Sequence, residues 1–108
     1  MNDEPQYTVG SGNVFADLNY ADPEVALLKA ELAREISTAI REGSLTQEDA
    51  ADVLGLDQPK VSTIVRGRLS GFFVERLLPC LTTLERDVTI TVGPRKGERG
   101  RIELVSRT

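Results

Sequence analysis

One run of residues narrows the choice of fold more than any other. Gln47, Ala51, Gly55, Val61 and Ile64 follow one another at intervals of four, four, six and three residues. Two short helices that cross steeply through a tight turn need a small side chain where they meet, and Ala51 is one. The turn between them needs a residue that accepts a positive φ, and Gly55 does so without strain. Val61 and Ile64 then share one side of the second helix and pin it to a core. The opposite side carries Gln58, Lys60, Ser62, Thr63 and Arg66, all hydrogen-bonding or cationic and none acidic.

The flanking sequence supplies further elements. Asp22, Pro23 and Glu24 form a helix start. Val25, Leu28, Leu32, Ile36 and Ile40 then recur every three or four residues, the mark of an amphipathic helix that Gly43 ends. Thr46 with Asp49 makes a capping-box-like start for a helix running to about Leu54, with Ala50, Val53 and Leu54 inward. Asp57 caps the next helix, roughly Gln58 to Arg66, in which Val61, Ile64 and Val65 face inward. A fourth helix is expected over Phe73–Leu84, with Leu77, Leu78, Leu81 and Leu84 buried and Pro79 either kinking it or delaying its start. The period then changes. Val88-Thr89-Ile90-Thr91-Val92 alternates and is rich in β-branched residues, so it predicts a strand. Arg101–Val105 predicts a weaker one, which makes a hairpin around a glycine-bounded basic loop.

The expected organisation is one domain over 22–86. A partly flexible segment, 1–21, precedes it, and a strand or hairpin with a basic tail, 87–108, follows. Gly10-Ser11-Gly12 reads as a linker, not a phosphate cradle, because no strand leads into it. Asn13–Leu18 is a short piece able to dock on the body. The fold class is mainly α: a helix-turn-helix bundle of four to five helices with a C-terminal strand or hairpin.

Composition removes several classes of function. The chain has no His, the commonest general base and metal ligand, and no nucleophile with a visible base beside it. No catalytic, cofactor or metal residues are expected. Glu48 and Asp52 stand four residues apart, which a solvated face explains without a metal. Cys80 is the single cysteine, so no intrachain disulfide can form. Set among Leu77, Leu78 and Leu81, it reads as a buried, inert thiol. Neither a membrane span nor a signal peptide is legible, and a cytoplasmic setting is expected. The net charge of −4 runs against nucleic-acid binding, but its distribution does not. Residues 58–76 hold Lys60, Arg66, Arg68 and Arg76 against Glu75 alone, and residues 94–108 form a second basic cluster. A helix face of amides, hydroxyls and cations without carboxylates suits the base edges of a DNA major groove.

The spacing resembles the helix-turn-helix of the Cro/repressor-like (XRE) family, whose fold is the lambda-repressor-like bundle. The wider string Leu45-Thr46-Gln47, Leu54-Gly55-Leu56-Asp57-Gln58-Pro59-Lys60-Val61-Ser62 and Arg66-Gly67-Arg68 is similar to HigA-like antitoxins. Asn13–Leu18 and Asp87–Ile90 extend that similarity over most of residues 13–93. It implies that Gln47 bonds a phosphate, that Gln58, Lys60, Ser62 and Thr63 approach base edges, and that Arg66 and Arg68 sit on phosphates or at the groove margin. It further implies a bacterial homodimer on a palindromic operator, autorepression, and a RelE/HigB-like toxin as second partner. Two positions depart from the pattern. Phe73 stands where the fourth helix usually opens on a capping Ser or Thr, and Glu85 where it usually closes on Gly. The basic tail after Pro94 lies outside the resemblance. A free-standing repressor and a protein-interaction module that has lost DNA binding are the competing readings, the latter favoured by net charge.

Overall fold

The computed structural model describes residues 22–107. The segment expected to be partly flexible, 1–21, with its Asn13–Leu18 piece, lies outside the described residues. Four helices follow in order: α1 (Pro23–Glu42), α2 (Gln47–Leu54), α3 (Gln58–Val65) and α4 (Val74–Thr83). No helix among them is long and apolar enough to cross a membrane.

The helix starts form where the sequence places them. Asp22 accepts from the Glu24 and Val25 amides at 3.0 and 3.3 Å, meeting two orphan donors of the first turn. Thr46 and Asp49 form a reciprocal capping box, with bonds of 3.0 and 3.2 Å. The Asp57 carboxylate accepts from the Lys60 amide at 3.3 Å. Only α4 opens without a side-chain cap, since Phe73 has no acceptor to offer.

Helix ends depend on backbone handedness. Gly55 and Gly67 take φ of 69° and 76° and close α2 and α3. Behind Gly67, the Gly67 amide donates to Ile64 O (2.9 Å) and the Arg68 amide to Thr63 O (3.0 Å), a Schellman closure. At the end of α1 the left-handed residue is Ser44 (φ 57°), not the expected Gly43, which sits at φ −82°. Glu85 holds the same conformation after α4, with φ 67°. Both ends still make the paired closure bonds, Leu45 N–H to Ile40 O and Arg86 N–H to Leu81 O. Side chains with a Cβ therefore stand where glycine is unstrained.

The core sits where α1 crosses α3 and α4, with α2 packed on α3. Leu32, Ile36, Val61, Ile64 and Leu77 are almost fully buried, with Ala33, Ala50, Ala51, Cys80, Leu81 and Leu84 around them. Two expected core residues are not core. Val53 and Val65 are 47% and 37% exposed. In α2 the buried face centres on Ala50, Ala51 and Leu54, and Val53 lies about 100° away from its middle. In α3, Val65 lies about 70° from the middle of the Val61–Ile64 side, as far round as the exposed Lys60 on the other flank. α4 runs through Pro79 with no delay to its start. Proline removes one donor to the Glu75 carbonyl, and the burial of Leu77, Cys80 and Leu81 on the same helix offsets that loss.

The C-terminal hairpin is corrected. Among the described residues no strand forms: Val88–Val92 and Arg101–Val105 carry no ladder, and Ile90 and Val92 are 73% and 91% exposed. A β-branched run becomes a strand only when an edge accepts its hydrogen bonds, and a lone two-stranded hairpin is marginal in water. The segment instead turns back along α1. Leu104 rests half-buried against the core, and the Ile102 amide donates to Glu24 Oε2 at 3.4 Å.

Candidate nucleic-acid interface

The outward side of α3 is built by its inward side. Val61 and Ile64 are each 1% exposed, which fixes the rotation of the helix about its axis. At about 100° per residue, Pro59, Ser62, Thr63 and Arg66 then lie opposite the core, with Gln58 and Lys60 on the two flanks. Gln58, Lys60, Arg66 and Arg68 are exposed, and Ser62 and Thr63 half-buried. No carboxylate shares this surface. Asp57, the nearest acid in sequence, is turned onto the helix end as its cap. Lys60, Arg66, Arg68 and Arg76 make no ion pair among the described residues.

The individual groups differ in what they can offer. The Thr63 hydroxyl donates to Pro59 O at 2.8 Å, so its proton is engaged and its lone pairs face outward. Gln47 is half-buried at the first position of α2, where the free amides of a helix start favour an anion. Glu48 and Asp52 are both exposed on α2, and no group of three His, Cys, Asp or Glu able to hold a metal occurs among the described residues.

Two of the expected residues come together with others that were not singled out. Lys60 and Thr63 line an open hollow with Gly71, Phe72, Phe73 and Arg76, between α3 and the start of α4. Arg76 is thus delivered to the same flank as Lys60 by a different helix. Its charge was visible in the sequence; its position was not. Phe73 is 50% exposed there, the N-cap position of α4 presenting an aromatic ring instead of a hydroxyl.

Lys29 is the second residue that sequence reasoning missed. It lies in α1 at 7% exposure, and its Nζ donates to Phe72 O at 2.9 Å and Leu69 O at 3.3 Å. A buried ammonium is tolerated only when its donors are met. Here two of the three are met by the loop that leaves α3, so α1 holds the backbone between α3 and α4. Cys80 is buried as expected and donates to Arg76 O at 3.4 Å. Burial pushes its thiol pKa up, opposed in part by the nearby Arg76 charge.

Comparison with known proteins agrees with this geometry. A family model described as a helix-turn-helix domain matches residues 14–93. A solved chain described as "Putative XRE Family Transcriptional Regulator" is 37% identical, with a TM-score of 0.72. The match covers 78% of this chain and 97% of that one. No curated protein sequence matches. With most of its length inside the family model and a relative of this identity on the same fold, the chain belongs to the helix-turn-helix domain family, of the XRE type.

Proposed function

We propose that this protein is a sequence-specific DNA-binding repressor that acts as the antitoxin and autorepressor of a HigBA-type toxin–antitoxin operon. The observation that supports DNA binding is the side of α3 facing away from the core, exposed and without a carboxylate. Lys60, Arg66 and Arg68 supply affinity by displacing counterions from phosphates. Gln58, Lys60, Ser62 and Thr63 supply selectivity through base edges, and Gln47 anchors a phosphate at the head of α2. One short reading helix spans few base pairs. A homodimer on a palindromic operator, with half-sites about 34 Å apart, follows from that limit.

The antitoxin role rests on the resemblance of the Leu45–Arg68 string and its flanks to HigA-like chains. The free-standing repressor is the second reading, favoured by the solved relative, whose description names transcriptional regulation alone.

Two experiments test these statements. Duplexes are first enriched from a random library by the wild-type protein. The Lys60→Ala/Arg66→Ala variant is expected to lose at least about tenfold in affinity for them while melting as the wild type does, since both residues are exposed. Unchanged affinity would remove the reading-helix assignment. The antitoxin role is tested by co-expression with the product of the adjacent open reading frame. Growth arrest by that product alone, relieved by this chain in a stable complex, is expected. A harmless neighbour that forms no complex selects the free-standing repressor.

A further inference from the structure

The second basic cluster has no role in the reading helix, yet it is neither loose nor remote. Residues 94–101 hold Arg95, Lys96, Arg99 and Arg101 against Glu98, and every one of them is exposed. A Cβ added at Gly93, Gly97 or Gly100 would meet nothing within 4 Å, so the backbone faces open space at these three points. Arg95 Nη1 donates to Glu98 O at 2.6 Å and folds the segment into a local turn. Its far end is tied down. The Ile102 amide donates to Glu24 Oε2 at 3.4 Å, Arg99 lies 3.8 Å from the same carboxylate, and Leu104 rests on the core.

The tie point fixes where the cluster sits. Glu24 is in the first turn of α1, five residues before Lys29, a rise of about 7.5 Å. Lys29 holds the carbonyls of Leu69 and Phe72 in the loop that leaves α3. That loop follows Arg68 and runs into the hollow shared by Lys60, Thr63 and Arg76. The basic segment is therefore anchored on the N-terminal half of α1, the part of that helix that also holds the loop leaving α3. In a chain of net charge −4, residues 94–101 set four cations against one carboxylate.

We propose that residues 94–101 form a second DNA-binding arm, laid along the phosphates that flank the stretch read by α3. This rests on the DNA-binding reading above and adds to it a contact outside the matched family region, which ends at residue 93. The three glycines let the backbone follow a curved phosphate track, and the tie to Glu24 limits the freedom lost on binding. The contact is electrostatic and carries no base preference.

The test uses the full chain and the enriched duplex, with a random-sequence duplex beside it. The variant Arg95→Gln/Lys96→Gln/Arg101→Gln leaves the Arg99–Glu24 tie in place. Binding is followed by fluorescence anisotropy over a range of salt concentrations. The slope of log affinity against log salt is expected to fall by about 2 to 3, at about 0.9 per lost phosphate contact. Affinity should drop alike on both duplexes, with an unchanged melting temperature. A wild-type slope in the folded variant overturns the arm while leaving the role of α3 standing. A loss confined to the enriched duplex also overturns it, because phosphate contact would then be the wrong chemistry. Absence of DNA binding by the wild type removes the DNA-binding reading itself. Should the triple variant melt lower, Arg95→Gln and Lys96→Gln singly, each expected to lower the slope by about 1, decide the matter.

Discussion

Replacing Lys29 with methionine isolates the link between α1 and the loop behind α3. Methionine keeps the length and most of the volume of the stem, so the packing change is small. What is lost is a charged donor shared by two main-chain carbonyls, at 2.9 and 3.3 Å. Hydrogen bonds to charged groups contribute about 1.5–3 kcal/mol each, the longer one toward the low end. Against this stands the desolvation of the ammonium, several kcal/mol, which methionine avoids. Phe72 is half-buried, so water can recover part of its carbonyl's bonding, whereas Leu69, 8% exposed, has little access. Leu69 O keeps the Phe72 amide at 3.0 Å, so neither carbonyl is orphaned, and the balance is a net loss of about 1 kcal/mol. For a domain of this size that lowers the melting temperature by about 4–8 °C. Circular-dichroism melts measure the shift. Hydrogen exchange at the Phe72 amide, which donates to Leu69 O at 3.0 Å, reports whether the loop itself has loosened. A melting temperature within about 1 °C of wild type, with unaltered exchange at Phe72, would refute the reasoning. A higher one would show that desolvation outweighs the two bonds.

Further consequences can be checked separately. Ser44→Gly and Glu85→Gly should each stabilise the fold by about 0.5–1 kcal/mol in urea titrations, because the left-handed backbone at φ 57° and 67° strains any residue with a Cβ. Phe73→Ser should supply the missing cap of α4 and raise stability by up to about 1 kcal/mol, with NMR protection of the α4 start as readout. Cys80 titrates at higher pH in the folded chain than in the unfolded one, because burial raises its pKa. Its contribution is then full below the ordinary thiol range and is lost as pH rises through the folded value. Cys80→Ala should flatten the alkaline side of the stability–pH curve whatever its effect at neutral pH.

The helices were legible because their signals are local. Asp22, Thr46 and Asp57 sit next to the amides they cap, and the Leu32–Ile36–Ile40 stripe needs only the period of one helix. The spacing from Gln47 to Ile64 also located the candidate surface, since burying Val61 and Ile64 leaves the polar side nowhere to face but outward. What escaped depends on partners far along the chain. Lys29 looks like the flank of an apolar stripe, and its burial is understandable only beside carbonyls 40 and 43 residues away. Arg76 was read as one charge in a basic stretch, and only the path of the chain from α3 into α4 brings it to the hollow that Lys60 lines. Val53 and Val65 failed for a smaller reason: in an eight-residue helix, one position around the axis separates core from surface. The hairpin failed because alternation in Val88–Val92 states a preference that takes effect only against a partner edge.

That wet, alternating run sets how the protein behaves in a crowded solution. Val88, Ile90 and Val92 lie bare between Arg86 and Asp87 on one side and Arg95 and Lys96 on the other, and such charges hinder copies from stacking edge to edge. Added electrolyte weakens that hindrance over the same range in which it loosens any grip on phosphates. A single solvent variable thus pushes the molecule away from polyanions and toward its own kind, and the two responses should rise together along one salt titration.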